Sequence, residues 1–473
     1  MIPVYMSEDL ENYWVSSSST ALACLRPTSF CVDALACLLV GGFLLRDLSL
    51  FSEVKRVGPG VQICYENGKV HQSKWWTPKI DLPIDASTRD LAEDIVAERL
   101  AYLRSRLTEP PIIYSTLTAG LDSRCCVALL SPLDRPITYF TCGLPDDPDV
   151  VTAQYISRQL GLDWRHHSFD VLSPNELRAL IVQSALTCDG ENQPFRGTAE
   201  WAYRIGDEKK VICWGIGGEI WRDYWSKHER LAPILKGVTR IERLVTYRFR
   251  GSGIPFLVIA PEFRIDFRRR VIELLEKSDG EMLSASPVDR LDMLYIMERV
   301  RRWASAHMTT MGRWTVPDFP LIGQRMVDLA YRLPEPARSN SELMRWVIWL
   351  TCRKGSKIYH NEGYSTCPVE LTPLRERIRN TIIDARHVIA KLLRVAGIRG
   401  VCHQRFHSNL PTYREIFDDF LDPTQMHSAF LYETSKFQEM IDPRLDDQVG
   451  RDASLNVIIG LESIVRSATM LQH

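Results

Sequence analysis

From residue 90 to residue 214 the chain alternates short, continuous apolar runs with longer stretches in which apolar residues return every three or four positions. The runs Ile112 to Leu117, Ile137 to Cys142 and Val211 to Trp214, with a fourth near Trp164 to Phe169, have the length of buried strands. The stretches between them read as helices: Asp90 to Leu107 (apolar at Leu91, Ile95, Leu100, Leu103 and Leu107), Ser123 to Leu130, Val150 to Leu160, Asn175 to Leu186 and Thr198 to Ile205. Strands alternating with helices predict an α/β fold built on a parallel, doubly wound sheet, since parallel neighbours need a crossover between them. Ligands of such sheets bind outside the carboxyl ends of the strands.

The flanking regions differ in pattern. The first eighty residues carry short apolar runs broken by Gly and Asn; Val61 to Tyr65, Asn67-Gly68 and Val70 to Trp75 read as a hairpin, because Asn-Gly supplies the positive φ angles of a tight turn. This predicts a small β-rich unit over residues 1–80, joined through Trp76-Thr77-Pro78 to a body over 81–473. Beyond about residue 220 the pattern is mainly helical, with amphipathic segments such as Met293 to Arg302 and Leu374 to Leu393, and predicts a helical part over one side of the sheet.

Length and charge narrow the function classes. A chain of 473 residues exceeds one ordinary core. Its 58 Lys plus Arg against 59 Asp plus Glu leave a net charge of -1, which offers no general attraction for nucleic acid, and the Arg-rich stretch Arg240 to Arg270 has apolar residues at helical spacing. The 12 cysteines show no zinc-type spacing and suit free thiols in a reducing compartment. The longest apolar run, Ala34 to Leu45, is too short to span a bilayer, and no cleavable leader opens the chain; a cytoplasmic protein without membrane or nucleic-acid partners is expected.

Three segments carry chemistry, each placed after a predicted strand. Thr118-Ala119-Gly120-Leu121-Asp122-Ser123-Arg124 lies between an apolar strand and a helix start. Its small residues let main-chain amides approach an anion, the helix N-terminus adds a favourable dipole, and Ser123 adds a hydroxyl. A carboxylate at Asp122 in such a loop suits a Mg²⁺ ion standing between it and phosphates; the same Asp122 or Ser123 also suits a plain helix cap. Gly143 follows the second strand, where a glycine allows close approach to the backbone. Gly215-Ile216-Gly217-Gly218-Glu219 follows the strand Val211 to Trp214 and brings a second carboxylate to a strand end.

In this order the three segments resemble those of the N-type ATP pyrophosphatases, and among them the asparagine synthetase family. Thr118 to Ser123 resembles the family's Ser-Gly-Gly-x-Asp-Ser loop, with Thr118 for Ser and Ala119 for Gly. The resemblance implies an adenine-nucleotide α-hydrolase-like sheet. It also implies ATP and pyrophosphate binding by Leu117, Thr118, Ala119, Gly120, Leu121, Asp122, Ser123, Gly143, Gly215, Gly217 and Gly218, with Asp122 and Glu219 as Mg²⁺ ligands. Pro317 to Pro334 resembles a further family segment, but Val316 stands at the position of an acid placed near the substrate and Gly323 at the position of an Asp. No motif fixes Lys354 or Lys357 as the pyrophosphate-stabilising Lys, and Glu191, Arg196, Arg222 and Asp223 suit a substrate wall or an ordinary surface or salt-bridge role alike. The unit over 1–80 resembles the trailing part of a glutaminase domain without the required Cys; the first cysteine is Cys24, and no glutaminase activity is expected.

The function so implied is an ATP-dependent, AMP-forming ligase with ATP and Mg²⁺ as cofactors. It would adenylate a small-molecule or peptide carboxylate for attack by an amine or ammonia, as in lactam formation, lasso-type cyclisation or sugar-acid amidation. A homo-oligomer or a pathway partner would fit such a role. Adenylation of a tRNA base is disfavoured by the neutral charge, and the competing expectation is a non-catalytic scaffold that binds a nucleotide or a partner.

Overall fold

The structure is a computed structural model that describes residues 2–9, 12–25, 28–77, 84–108, 112–168, 172–191, 210–226, 238–249, 252–282, 289–359, 365–383, 410–442 and 451–470. Strands β1 (Tyr5–Glu8), β2 (Tyr13–Ser16) and β3 (Lys55–Arg56) form an antiparallel sheet in the order β2-β1-β3. Strands β4 (Val61–Glu66) and β5 (Lys69–Lys74) form the expected hairpin, with Asn67 at φ 51° and Gly68 at φ 75° in its turn. The N-terminal part is not purely β, however. The apolar run from Ala34 is a helix, Val32–Gly41, buried along most of its length. A helix apolar on nearly every side has no 3.6-residue period to betray it, so its run alone does not distinguish it from a strand.

The body is built on β6 (Ile112–Thr116), β7 (Ile137–Cys142), β8 (Asp163–His167), β9 (Lys210–Cys213) and β10 (Val316–Asp318), in the spatial order β10-β9-β6-β7-β8. Every pairing is parallel. The fifth strand, three residues around Pro317, is too short to stand out in sequence and sits at the sheet edge, where a missing N–H is tolerated. The predicted helices form as Thr88–Arg106, Leu121–Leu130, Pro148–Leu160 and Pro174–Thr187; the one expected over Thr198 to Ile205 lies outside the described residues. Chain direction across the sheet reverses between β6 and β9, the first and fourth strands of the body, so their carboxyl ends flank a topological switch point.

Both faces of the sheet are covered, which a parallel sheet requires. On one face Leu117, Tyr139 and Val127 pack together with Ile358, and the Glu342–Thr351 helix lies on Thr88–Arg106 and Leu121–Leu130. On the other, Phe140 and Ile212 pack on Met311 of the Arg301–Met311 helix. The C-terminal helices thus clothe both faces rather than the one side expected, because residues alternate in direction along each strand and both sets are apolar. Across the boundary expected near residue 80 the two parts share one hydrophobic core. The Val32–Gly41 helix packs on Pro261–Gly280, and Arg270 pairs with Asp33 at 2.6 Å. No helix of the described residues is long and apolar enough to cross a membrane.

Candidate active site

Strand β6 runs out at Thr116, and the chain crosses the sheet edge through Leu117 to Gly120 before entering the Leu121–Leu130 helix. The N-cap of that helix is Gly120, with no side chain to close it. Neither Asp122 nor Ser123 acts as the cap, so the helix end is left without a side-chain cap, as an anion site at a helix N-terminus would require. Ser123 instead ties the loop together. Its Oγ accepts from the Thr118 amide at 3.0 Å and lies 2.9 Å from the Thr118 hydroxyl, which in turn accepts from the Gly120 amide at 3.1 Å. The loop is anchored to the next strand, where the Thr141 hydroxyl donates to the Leu117 carbonyl at 2.6 Å.

The second glycine turn lies directly on the first. A Cβ placed on Gly215 would fall 2.7 Å from the Ser123 nitrogen and 2.8 Å from the Asp122 carbonyl carbon. One on Gly218 would fall 2.2 Å from Asp122 Oδ1. Only glycine permits this approach, and Gly217, at φ 99°, adopts a conformation that also favours it. Replacing Gly215 with alanine would drive a methyl group into backbone that has no room to move. We expect Gly215→Ala to lower stability by about 1–3 kcal/mol and to separate the two turns; an unchanged denaturant midpoint would show that the turns do not touch.

Asp122 is the hinge of the arrangement. Its Oδ2 accepts from Arg222 Nη2 at 3.0 Å, whereas its buried Oδ1 has no hydrogen-bond partner. Burial pushes the Asp122 carboxyl up to about 7, with Glu219 acting in the same direction and Arg222 against it. For Arg222 burial opposes the charge, but Asp122 and Glu219 outweigh it and hold the guanidinium above its ordinary value. Glu219 opens the short Gly218–Trp221 turn and accepts from the Gly217 amide at 3.2 Å. Tyr224 and Tyr295 stand behind this pair, their ring centroids 4.6 Å apart, and Arg222 lies 5.4 Å over the Tyr224 ring. Asp292 fixes the strand-end segment by accepting from the Trp225 and Ser226 amides at 2.8 and 3.0 Å.

The third segment contributes a residue the sequence did not single out. Gly143, at φ 151°, turns the chain out of β7, and its carbonyl lies 2.9 Å from His166 Nε2. The acidic loop that follows returns to the first turn: Asp149, in the first helical turn of Pro148–Leu160, accepts from the Ala119 amide at 2.9 Å. Burial raises the Asp149 carboxyl, and the Ala119 amide acts against that rise. In sequence Asp149 is one of three acids in Asp146-Asp147-Pro148-Asp149, and spacing alone does not say which of them reaches back.

Other candidates are placed elsewhere. Glu191 is buried against Arg302 at 2.9 Å, far from any solvent-facing wall. Asp223 is buried beside the site, and Arg196 lies outside the described residues. Val316 is at the β10 edge, and the nearby Asp318 is taken up by the Thr88–Arg106 helix, accepting from the Tyr102 hydroxyl at 2.9 Å. Gly323 caps the Gln324–Ala330 helix with extended backbone that any residue adopts. Lys354 and Lys357 are exposed at the Arg353–Ser356 turn of helix.

Among the described residues no group of three or more His, Cys, Asp and Glu side chains forms a metal cage. Glu219 lies near enough to act on the Asp122 carboxyl, and the buried Oδ1 of Asp122 without a partner is the atom that a Mg²⁺ ion held by these two carboxylates would meet. Comparison with known protein families finds no match for this chain, and a search of curated proteins finds none similar to it.

Proposed function

We propose that the chain is an ATP-dependent, AMP-forming ligase with an adenine-nucleotide α-hydrolase-like nucleotide site, activating a carboxylate for attack by an amine or ammonia. The observation that carries this reading is the contact between the turn Thr118 to Ser123 and the turn Gly215 to Gly218 at the switch point of the sheet. A carboxylate is a poor acyl donor until one oxygen joins a mixed anhydride with phosphate; its attack on the α-phosphorus of ATP forms that C–O–P link as the α–β phosphoanhydride bond breaks and pyrophosphate leaves. The amine then attacks the acyl carbon and expels AMP. In this reading the uncapped Leu121–Leu130 helix end and the Thr118 to Ser123 loop hold the departing pyrophosphate, whose charge the helix dipole favours. Asp122 and Glu219 hold Mg²⁺, which supplies charge neutralisation of the phosphates when bound. Arg222, paired with Asp122 at 3.0 Å, would be the cation that a Mg²⁺ ion competes with for that carboxylate.

A second reading, a scaffold that binds a nucleotide or a partner without catalysis, is favoured by one feature: the amides of Thr118, Ala119 and Gly120 all have internal acceptors. Isotope exchange between pyrophosphate and ATP, run with panels of carboxylic acids, separates the two. Exchange that depends on an added acid is the expected result; binding of Mg-ATP without exchange under any acid would favour the scaffold.

A further inference from the structure

The loop expected to receive an anion already holds one. Of the three loop amides with internal acceptors, those of Thr118 and Gly120 are met by neutral hydroxyls, whereas that of Ala119 is met by the carboxylate of Asp149, at 2.9 Å. Asp149 arrives from another element, the Pro148–Leu160 helix, 30 residues along the chain, and the loop that delivers it is itself braced by the Asp147 carboxylate on the Leu144 amide at 2.7 Å. A carboxylate oxygen on a main-chain N–H at a helix-entry loop has the charge and geometry of a phosphate oxygen in the same place.

We propose that Asp149 is a built-in competitor for the anion site, a specificity-determining residue that a phosphate must displace from the Ala119 amide. This rests on the reading of Thr118 to Ser123 as the pyrophosphate loop and deepens it. The consequence is selective. A single small anion gains too few contacts to displace a tethered carboxylate and then sit beside it, because like charges at close range repel. Pyrophosphate accompanied by a divalent cation gains the uncapped helix end and the Ser123 hydroxyl as well, and its cation offsets the charge of the displaced Asp149. The device favours ligands with linked phosphates and metal over inorganic phosphate, which in any cell competes for an open loop of this kind.

Calorimetric titration of the full chain with inorganic pyrophosphate plus Mg²⁺, and separately with inorganic phosphate, tests this in the parent, in Asp149→Asn and in Asp149→Ala. The asparagine keeps an acceptor for the Ala119 amide but removes the charge; the alanine removes both. Both variants are expected to bind Mg-pyrophosphate about tenfold more tightly than the parent, the scale of one charge-assisted contact, and to acquire measurable phosphate binding that the parent lacks. Equal or weaker pyrophosphate binding in Asp149→Asn would overturn the competitor role. Weakening in Asp149→Ala alone would overturn it too, by showing that the side chain only props the loop. If parent and variants all fail to bind Mg-pyrophosphate and Mg-ATP, the ligase reading itself falls, an outcome distinct from binding that is merely indifferent to residue 149.

Discussion

Asp122→Ala is expected to reduce pyrophosphate exchange by about 10²–10³-fold, the loss that follows removal of one preorganised electrostatic contact to a developing charge. Asp122 stands where the two turns meet, with one oxygen on Arg222 and the other unpartnered. The unpartnered oxygen is costly to the free protein, because a buried acceptor without a donor loses its hydration and gains nothing. The matched prediction is therefore that Asp122→Asn, without ligand, unfolds at the same denaturant concentration as the parent or a higher one, while losing Mg-ATP binding. Alanine also strands Arg222, so the asparagine variant is the cleaner probe of fold. Retained exchange in Asp122→Ala would remove the metal role; a clear loss of stability in Asp122→Asn would mean that the carboxylate serves the fold instead.

The elements that position this site were legible because each obeys one simple period. Strands β6, β7 and β9 are short and buried, so they appear as uninterrupted apolar runs, and the helices between them keep a polar face. Glycines marked the turns, and the resemblance of those turns to a family's loops singled out Asp122 and Glu219 as metal carboxylates. What stayed hidden depends on approach in space. Arg222 was one of four polar candidates of equal standing, and only its ion pair with Asp122 shows that it, rather than Glu191, stands beside the two turns. Asp149 was hidden among neighbouring acids. The Val32–Gly41 helix was hidden for the opposite reason, since a segment apolar on nearly all sides carries no period.

Glu191, which sequence left open between a substrate wall and a salt bridge, forms the salt bridge and carries the largest stability effect. Its Oε1 meets Arg302 Nη1 at 2.9 Å and lies 4.0 Å from Arg56 Nη1, with all three side chains buried. Arg302 also donates to the carbonyls of Arg46 and Leu48, each at 2.7 Å, and Arg56 donates to Ser305 at 2.7 Å. One carboxylate thus lies against two guanidinium groups at the seam between the N-terminal part and the Arg301–Met311 helix. Glu191→Ala would take the nearest carboxylate from both buried cations, leaving Asp189 to act on Arg56 and Glu298 on Arg302, and is expected to cost about 3–5 kcal/mol. Glu191→Gln, which preserves an acceptor but not the charge, should fall between alanine and the parent. Replacing Arg302 with methionine strands the Glu191 charge but leaves Arg56 close to it, so its cost should be smaller than that of Glu191→Ala. Urea midpoints measured on the three variants order them, and an alanine variant that unfolds with the parent would show that Glu191 does not close this seam. The same contacts predict that a fragment beginning at residue 81 will not fold, since Arg302 would lose the carbonyls of Leu45, Arg46 and Leu48 together with the ion pair's enclosure. Loss of the N-terminal part should therefore abolish nucleotide binding through unfolding, a result that circular dichroism of the fragment distinguishes from loss of a catalytic group.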